Sequence, residues 1–227
     1  MPVFQLTKDI LFPPTDLAEP NGLLAVGGDL SPERPIIAYR QGIFPWYNEG
    51  EPILWWSPAP RLVLFPDKFH LPRRLARTIK NGRFKITADR AFPEVITGCA
   101  ATPRKEGEGT WITREMQEAY CRLHELGFAH SVECWHNKKL VGGLYGICLD
   151  QVFFGESMFT RMSDGSKIAL ATLVNHALTT GIKLIDCQMT TRHLLRFGAR
   201  EISGKRFQQL LANHISITEP QKKWRLH

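Results

Sequence analysis

No apolar run in this 227-residue chain approaches the roughly 18 to 20 residues that cross a bilayer, and its start, "MPVFQLTKDI", lacks the basic-then-apolar pattern of a secretion signal. These absences predict a soluble, cytoplasmic protein with no membrane partner. The cysteines (Cys99, Cys121, Cys134, Cys148 and Cys187) are odd in number, widely spaced and without a C-x-x-C pair, which argues against both a disulfide framework and a zinc site. Eight histidines are scattered with no H-E-x-x-H, so no metal is expected. A Q-x-x-G-x-G loop is also missing; the nearest glycine-rich stretch, "LVGGLYG", reads better as a crowded strand than as a phosphate cradle. Coenzyme A is therefore not expected, nor any other cofactor. Internal repeats and low-complexity tracts are absent, and 43% hydrophobic content can bury a full core.

Positive charge is what the chain has in excess, and it is local. The net charge is +7. Residues 61 to 90 hold Arg61, Lys68, Arg73, Arg74, Arg77, Lys80, Arg83, Lys85 and Arg90 against only Asp67 and Asp89, which accounts for the whole excess. A segment so biased predicts an anionic partner. Within it, "PRRLARTIKNG" reads as a helix with Pro72 in its first turn and Gly82 as its stop. At 100° per residue Arg73, Arg77 and Lys80 share one face, with Leu71, Leu75 and Ile79 opposite.

Proline, glycine and tryptophan crowd the first sixty residues, where only "SPERPIIAYRQG" looks helical, with Ser31 as N-cap and Gly42 as stop. Further on, "RLVLF" opens a strand. "TREMQEAYCRLHELG" reads as a helix capped by Thr113, with Met116, Tyr120 and Leu123 inward. "HSVECW", "KLVGGLYGICL" and "QVFFGESMF" follow as strands joined by turns at Asn137 and Asp150; then come a long helix, "SKIALATLVNHALTTG", and a further strand, "KLIDCQ". This order predicts an α+β fold: a small turn-rich N-terminal domain over residues 1–60 and a larger acyltransferase-like domain over 61–227.

The strand "KLIDCQ" carries the oddest residue. Alternation sets Leu184, Asp186 and Gln188 on one face and Ile185, Cys187 and Met189 on the other. A dry, unpaired carboxylate would cost several kcal/mol, so Asp186 must be paired, hydrogen-bonded or used; capping the turn at Thr190 and Thr191 would serve as well as chemistry. Glu156 in "FFGESMF" poses the same choice, sharing a face with Phe154 and Met158 beside a glycine that marks a bulge or a close approach. Trp46, Trp55, Trp56 and Trp111 sit among prolines and turns, placed either for the core or for stacking on unpaired bases.

Taken together, the blocks "EPNGLLAVGGDLSPER", "YRQGIFPWY", "PILWWSPAPRLVLFP", "EGTWIT", "AYCRLHELGFAHSVECW", "LVGGLYG", "FFGESMF" and "LIDCQ" make the chain resemble the leucyl/phenylalanyl-tRNA protein transferases over nearly its whole length. The resemblance implies a GNAT-like C-terminal domain with a smaller N-terminal domain packed against it, and a monomer is expected. It implies transfer of Leu or Phe, and less readily Met, from aminoacyl-tRNA to the α-amino group of proteins beginning with Lys or Arg, which marks them for bacterial degradation. The donor ester is already reactive, so no cofactor is needed. Carried over by position, Trp46 meets the terminal adenine, Trp111 and Tyr120 lie along the acceptor end, and Leu144, Phe153, Met158 and Ile185 surround the Leu or Phe side chain. Asp186, Gln188 and Glu156 stand at the ester, with Gln188 receiving an N–H of the attacking amine, Asp186 orienting that amide, and Glu156 bracing the pair or holding the acceptor's cation. The localised charge on the face of Arg73, Arg77 and Lys80 separately predicts that these three take the tRNA backbone. Two departures stand beside this site: Arg196 where the family pattern has serine, and Gly165 where it has alanine.

Overall fold

A computed structural model describes residues 3–102 and 110–226; Glu108 and Gly109 of the "EGTWIT" block lie outside them. The N-terminal part builds a four-stranded sheet from strands of only two to five residues: β1 (Phe4–Leu6), β2 (Leu23–Gly27), β3 (Phe44–Pro45) and β4 (Leu54–Trp56), in the order β1-β2-β4-β3. Such short pieces between prolines and glycines show no readable alternation, which is why this region reads as turns. Its helix α1 (Glu33–Arg40) begins with Pro32 rather than Ser31 at the N-cap. The Ser31 hydroxyl instead bonds Asp29, which also pairs with the buried Arg34 at 3.1 Å.

The chain then enters a seven-stranded sheet, adding β5 (Arg61–Leu64), α2 (Arg73–Lys80), β6 (Lys85–Ala88), α3 (Phe92–Ala100), α4 (Arg114–Glu125), β7 (Ala129–His136), β8 (Lys139–Leu149), β9 (Val152–Thr160), α5 (Gly165–Thr180), β10 (Leu184–Gln188), α6 (Arg192–Leu195), β11 (Arg200–Ile202) and α7 (Gly204–His214). The strand order is β11-β5-β10-β9-β8-β7-β6; β10 runs parallel to β9, and every other pairing is antiparallel. The crossover that a parallel pair requires is α5, which spans the sheet. The α+β class and the small and large parts follow the element order read from sequence.

Two cores flank the large sheet. One joins the small sheet, α1, α3, α4 and α7 around Tyr39, Trp55, Phe92, Tyr120 and Phe154; the other lies under α5 around Phe153, Leu173, Val174 and Ile185. Thr113 caps α4 by accepting from the Met116 amide at 3.2 Å, and Met116, Tyr120 and Leu123 are buried as their periodicity requires. On α2 the apolar face is covered less than expected: Leu75 is buried, but Leu71 and Ile79 remain 39 and 40% exposed.

Candidate active site

The two central strands come apart where the chemistry-bearing residues sit. Pairing of β9 with β10 covers only residues 152–154 against 184–186. Past that point each strand carries a bulge: Gly155 and Ser157 face consecutive residues of β8, which makes Glu156 the extra residue, while Asp186 and Gln188 face consecutive residues of β5, which leaves Cys187 extra. Bulges bend a strand and re-aim its side chains. They overturn two expectations from alternation. Phe154 and Met158 do not share a face, since Phe154 packs into the first core and Met158 against the second. Gln188 takes a left-handed backbone (φ 59°) that turns its side chain toward Glu156.

Between the splayed strands lies a cavity of about 400 Å³, within the usual range for a small-ligand site. Leu144, Phe153, Met158, Leu170, Leu173 and Ile185 line its apolar part, Phe44, Trp46 and Trp111 another side, and Glu156, Asp186, Gln188, Thr191 and His193 supply its polar groups. Trp46 is held by its backbone, whose carbonyl accepts from Trp56 Nε1 at 2.7 Å, and the two indoles lie 5.5 Å apart.

Asp186 has no exposed surface, and it is fully engaged. Arg61 donates to it twice, from Nε at 2.8 Å and Nη2 at 2.6 Å, and the Gln188 backbone N–H donates to Oδ1 at 2.9 Å. Arg61 is equally buried, sandwiched between the rings of Phe44 (4.9 Å) and Phe207 (4.6 Å). Counting Arg61 with the docking charges was therefore wrong: it belongs to the interior, and two-pronged pairing is what makes its burial tolerable. The expectation that Asp186 orients the Gln188 amide also needs correction, because Asp186 grips the backbone of Gln188 and Glu156 grips the amide.

Glu156 is the hub. Its Oε1 accepts from Gln188 Nε2 at 2.7 Å and its Oε2 from Tyr120 O–H at 3.0 Å, while the Tyr120 hydroxyl bonds that of Tyr39 in turn. Burial pushes the Glu156 carboxyl up to about 7, and the nearby Asp186 charge adds to the rise against the opposing hydrogen bonds. Burial likewise raises the Tyr39 and Tyr120 phenols well above their ordinary range, with the Glu156 charge as the next cause. With its NH₂ committed to Glu156, Gln188 meets no donor at Oε1 among the described residues, so that acceptor is available to a ligand.

The cavity thus brings together Trp46, Trp111, Leu144, Phe153, Glu156, Met158, Ile185, Asp186 and Gln188. Tyr120 is not a wall of it: the side chain is wholly buried behind Glu156, which corrects its expected place along an acceptor end. Arg73, Arg77 and Lys80 lie outside, exposed on α2. Reading the sequence missed Arg61, Tyr39, Leu170, Leu173 and His193. A signal existed for Arg61 alone, since a buried strand carboxylate demands a cation.

Comparison with known proteins identifies the same regions. The family model described as leucyl/phenylalanyl-tRNA protein transferase matches residues 63–212, and that of its N-terminal domain matches residues 28–59. A leucyl/phenylalanyl-tRNA protein transferase of Syntrophotalea carbinolica is 56% identical over 99% of both chains. One of Syntrophobacter fumaroxidans is 57% identical over 99% of this chain and 96% of its own. Among solved structures, a GCN5-related N-acetyltransferase from Kribbella flavida aligns over 73% of this chain and 58% of its own, at 11% identity and a TM-score of 0.35.

Proposed function

The chain belongs to the leucyl/phenylalanyl-tRNA protein transferase family, and we propose that it moves Leu or Phe, with Met as a poorer donor, from aminoacyl-tRNA to the α-amino group of proteins beginning with Lys or Arg. In the bacterial cytoplasm the added residue marks the acceptor for degradation. The observation that carries this reading is an amide and a carboxyl, hydrogen-bonded at 2.7 Å, beside an apolar cavity with two indoles at another side.

The donor's Leu or Phe side chain occupies the apolar part formed by Leu144, Phe153, Met158 and Ile185, joined by Leu170 and Leu173. Its adenine stacks on Trp46, and Trp111 flanks the ribose. Base on aromatic stacking contributes about 1 to 3 kcal/mol. The acceptor amine, with a pKa near 8, is neutral in on the order of a tenth of molecules at pH 7. Gln188 Oε1 receives one N–H of that amine and aims its lone pair at the ester carbon. As the C–N bond forms and the C–O bond to the ribose breaks, the amine gives up a proton, and the ribose oxygen must gain one. Glu156, whose carboxyl sits near 7, is matched to accepting the amine's proton and can return it to the ribose oxygen. Asp186, saturated by Arg61, holds the strand in register instead. The exposed Arg73, Arg77 and Lys80 receive the tRNA backbone by charge.

Incubation with Phe-tRNA and a peptide starting with Arg, followed by mass spectrometry, tests the reading. One added Phe on the peptide's α-amine is expected. No addition, or acetylation from acetyl-CoA in the absence of tRNA, overturns it.

A further inference from the structure

A second cavity, of about 420 Å³, opens between α2, the turn before α5, and α6. His193 lines both this cavity and the one between the splayed strands, so the two spaces adjoin across one imidazole. Arg74, Lys167 and Arg196 converge on it against a single acid, Asp164. Lys167 is neutralised by Asp164 at 2.7 Å. Arg74 and Arg196, both exposed, have no ion-pair partner among the described residues, and both line the same concavity. Burial, then the charges of Lys167 and Arg196, lower the pKa of His193, as expected of an imidazole beside these two cations. Two uncompensated guanidiniums repel each other unless an anion joins them, and a concave lining concentrates their field. Arg74 lies in the first turn of α2, the helix that also carries Arg77 and Lys80, so this site joins the cationic helix to the reacting cavity through His193.

We propose that this cavity binds a phosphate of the donor's own backbone, the one attached to the 5′ side of the terminal nucleoside, through Arg74 and Arg196. The inference rests on the functional reading above and adds to it a site that fixes where the polynucleotide leaves the reacting cavity. Guanidinium suits this role because its planar fork meets two phosphate oxygens at once. A donor ending at a bare nucleoside fills the apolar cavity but leaves this site empty.

The test compares two short donors, 3′-O-phenylalanyl-adenosine with and without a 5′-phosphate, on the full chain and on an Arg74→Ala/Arg196→Ala variant. The wild-type protein should use the phosphorylated donor with about tenfold higher kcat/KM, mainly through KM, and the double substitution should bring the ratio of the two donors toward one. A wild-type ratio of one overturns the proposal, as does a preference that survives the double substitution. Calorimetry with adenosine 5′-phosphate against adenosine decides the site separately. Tighter binding of the phosphate form that vanishes in the variant supports it even if neither donor is transferred, an outcome that would defeat the functional reading alone. Equal binding of both overturns it.

Discussion

Replacing Glu156 by Gln should stabilise the protein above pH 7 while slowing it. A carboxyl held near 7 instead of its ordinary 4.5 means that the folded state keeps this group protonated while the unfolded chain has already ionised it. Below about pH 4.5 both states are protonated and the group contributes no penalty. Between pH 4.5 and 7 the unfolded state gains relative stability, and above 7 the folded state carries an ionised, buried carboxylate at a full cost of about 3 kcal/mol. Glutamine cannot ionise. The variant's advantage over wild type in urea unfolding should therefore grow by about 3 kcal/mol from pH 4.5 to pH 8, on top of any constant difference from exchanged hydrogen bonds. Turnover gives the second readout. If Glu156 accepts the proton, log kcat/KM of the wild type rises with a slope near two below pH 7, since both carboxylate and free amine are needed, and near one from 7 to 8. The variant should show slope one throughout and a lower plateau, about 100-fold or more below wild type. A stability difference that does not change with pH, together with identical slopes, would refute the reasoning.

Other substitutions separate holding from reacting. Gln188→Ala should lower kcat with little change in urea midpoint, because its Oε1 is proposed to act in the transition state; Asp186→Asn should cost about 3 to 5 kcal/mol of stability by stranding Arg61, seen as a large drop in midpoint. Equal midpoints for the two variants would contradict that division. Ile and Val, branched at Cβ, should clash at the mouth of the apolar part, so Ile-tRNA should transfer about 10- to 150-fold less well than Leu-tRNA in single-donor assays. Replacing Arg73, Arg77 and Lys80 together by Ala should raise KM for intact aminoacyl-tRNA and flatten its salt dependence by about 0.7 to 0.9 log unit per lost contact, leaving aminoacyl-adenosine unaffected. Equal losses on both donors would point to damage to the fold.

Most long, periodic elements were legible from sequence, although α7, capped by Ser203 and burying Phe207, Leu210 and Leu211, was not read. The strands from Ala129 to Thr160, the helix from Gly165 and the strand carrying Asp186 fall where alternation, turn residues and caps put them. Short elements were not: β3 has two residues and β11 three, too few to show a period, and "FPEVITGCA" hides α3 behind β-branched residues that favour strands. The bulges escaped for a different reason. Nothing local marks Glu156 or Cys187 as an extra residue, because a bulge is defined by the partner strand, and the residues opposite lie on β8 and β5. Arg61 was misread in the same way. Its own neighbourhood is basic and turn-rich, and only the pairing of β5 with β10 takes it inside. The family blocks quoted residues that the fold brings to one cavity, yet could not say that Tyr120 stands behind Glu156 rather than before it.

The ion pair between Arg61 and Asp186 also constrains the history open to this sequence. Both partners lie wholly inside, 125 positions apart in the chain. Changing either alone leaves a buried charge uncompensated, so almost every single-step path from this pair passes through a poorly folded intermediate. Losing both at once, or swapping them, requires two coincident changes in distant codons, and a swapped pair would present the guanidinium where the Gln188 backbone N–H now finds its acceptor. These two positions should therefore persist together or vanish together across descendants, whereas any constraint on the exposed arginines of α2 comes from the polyanion they are proposed to meet and not from folding.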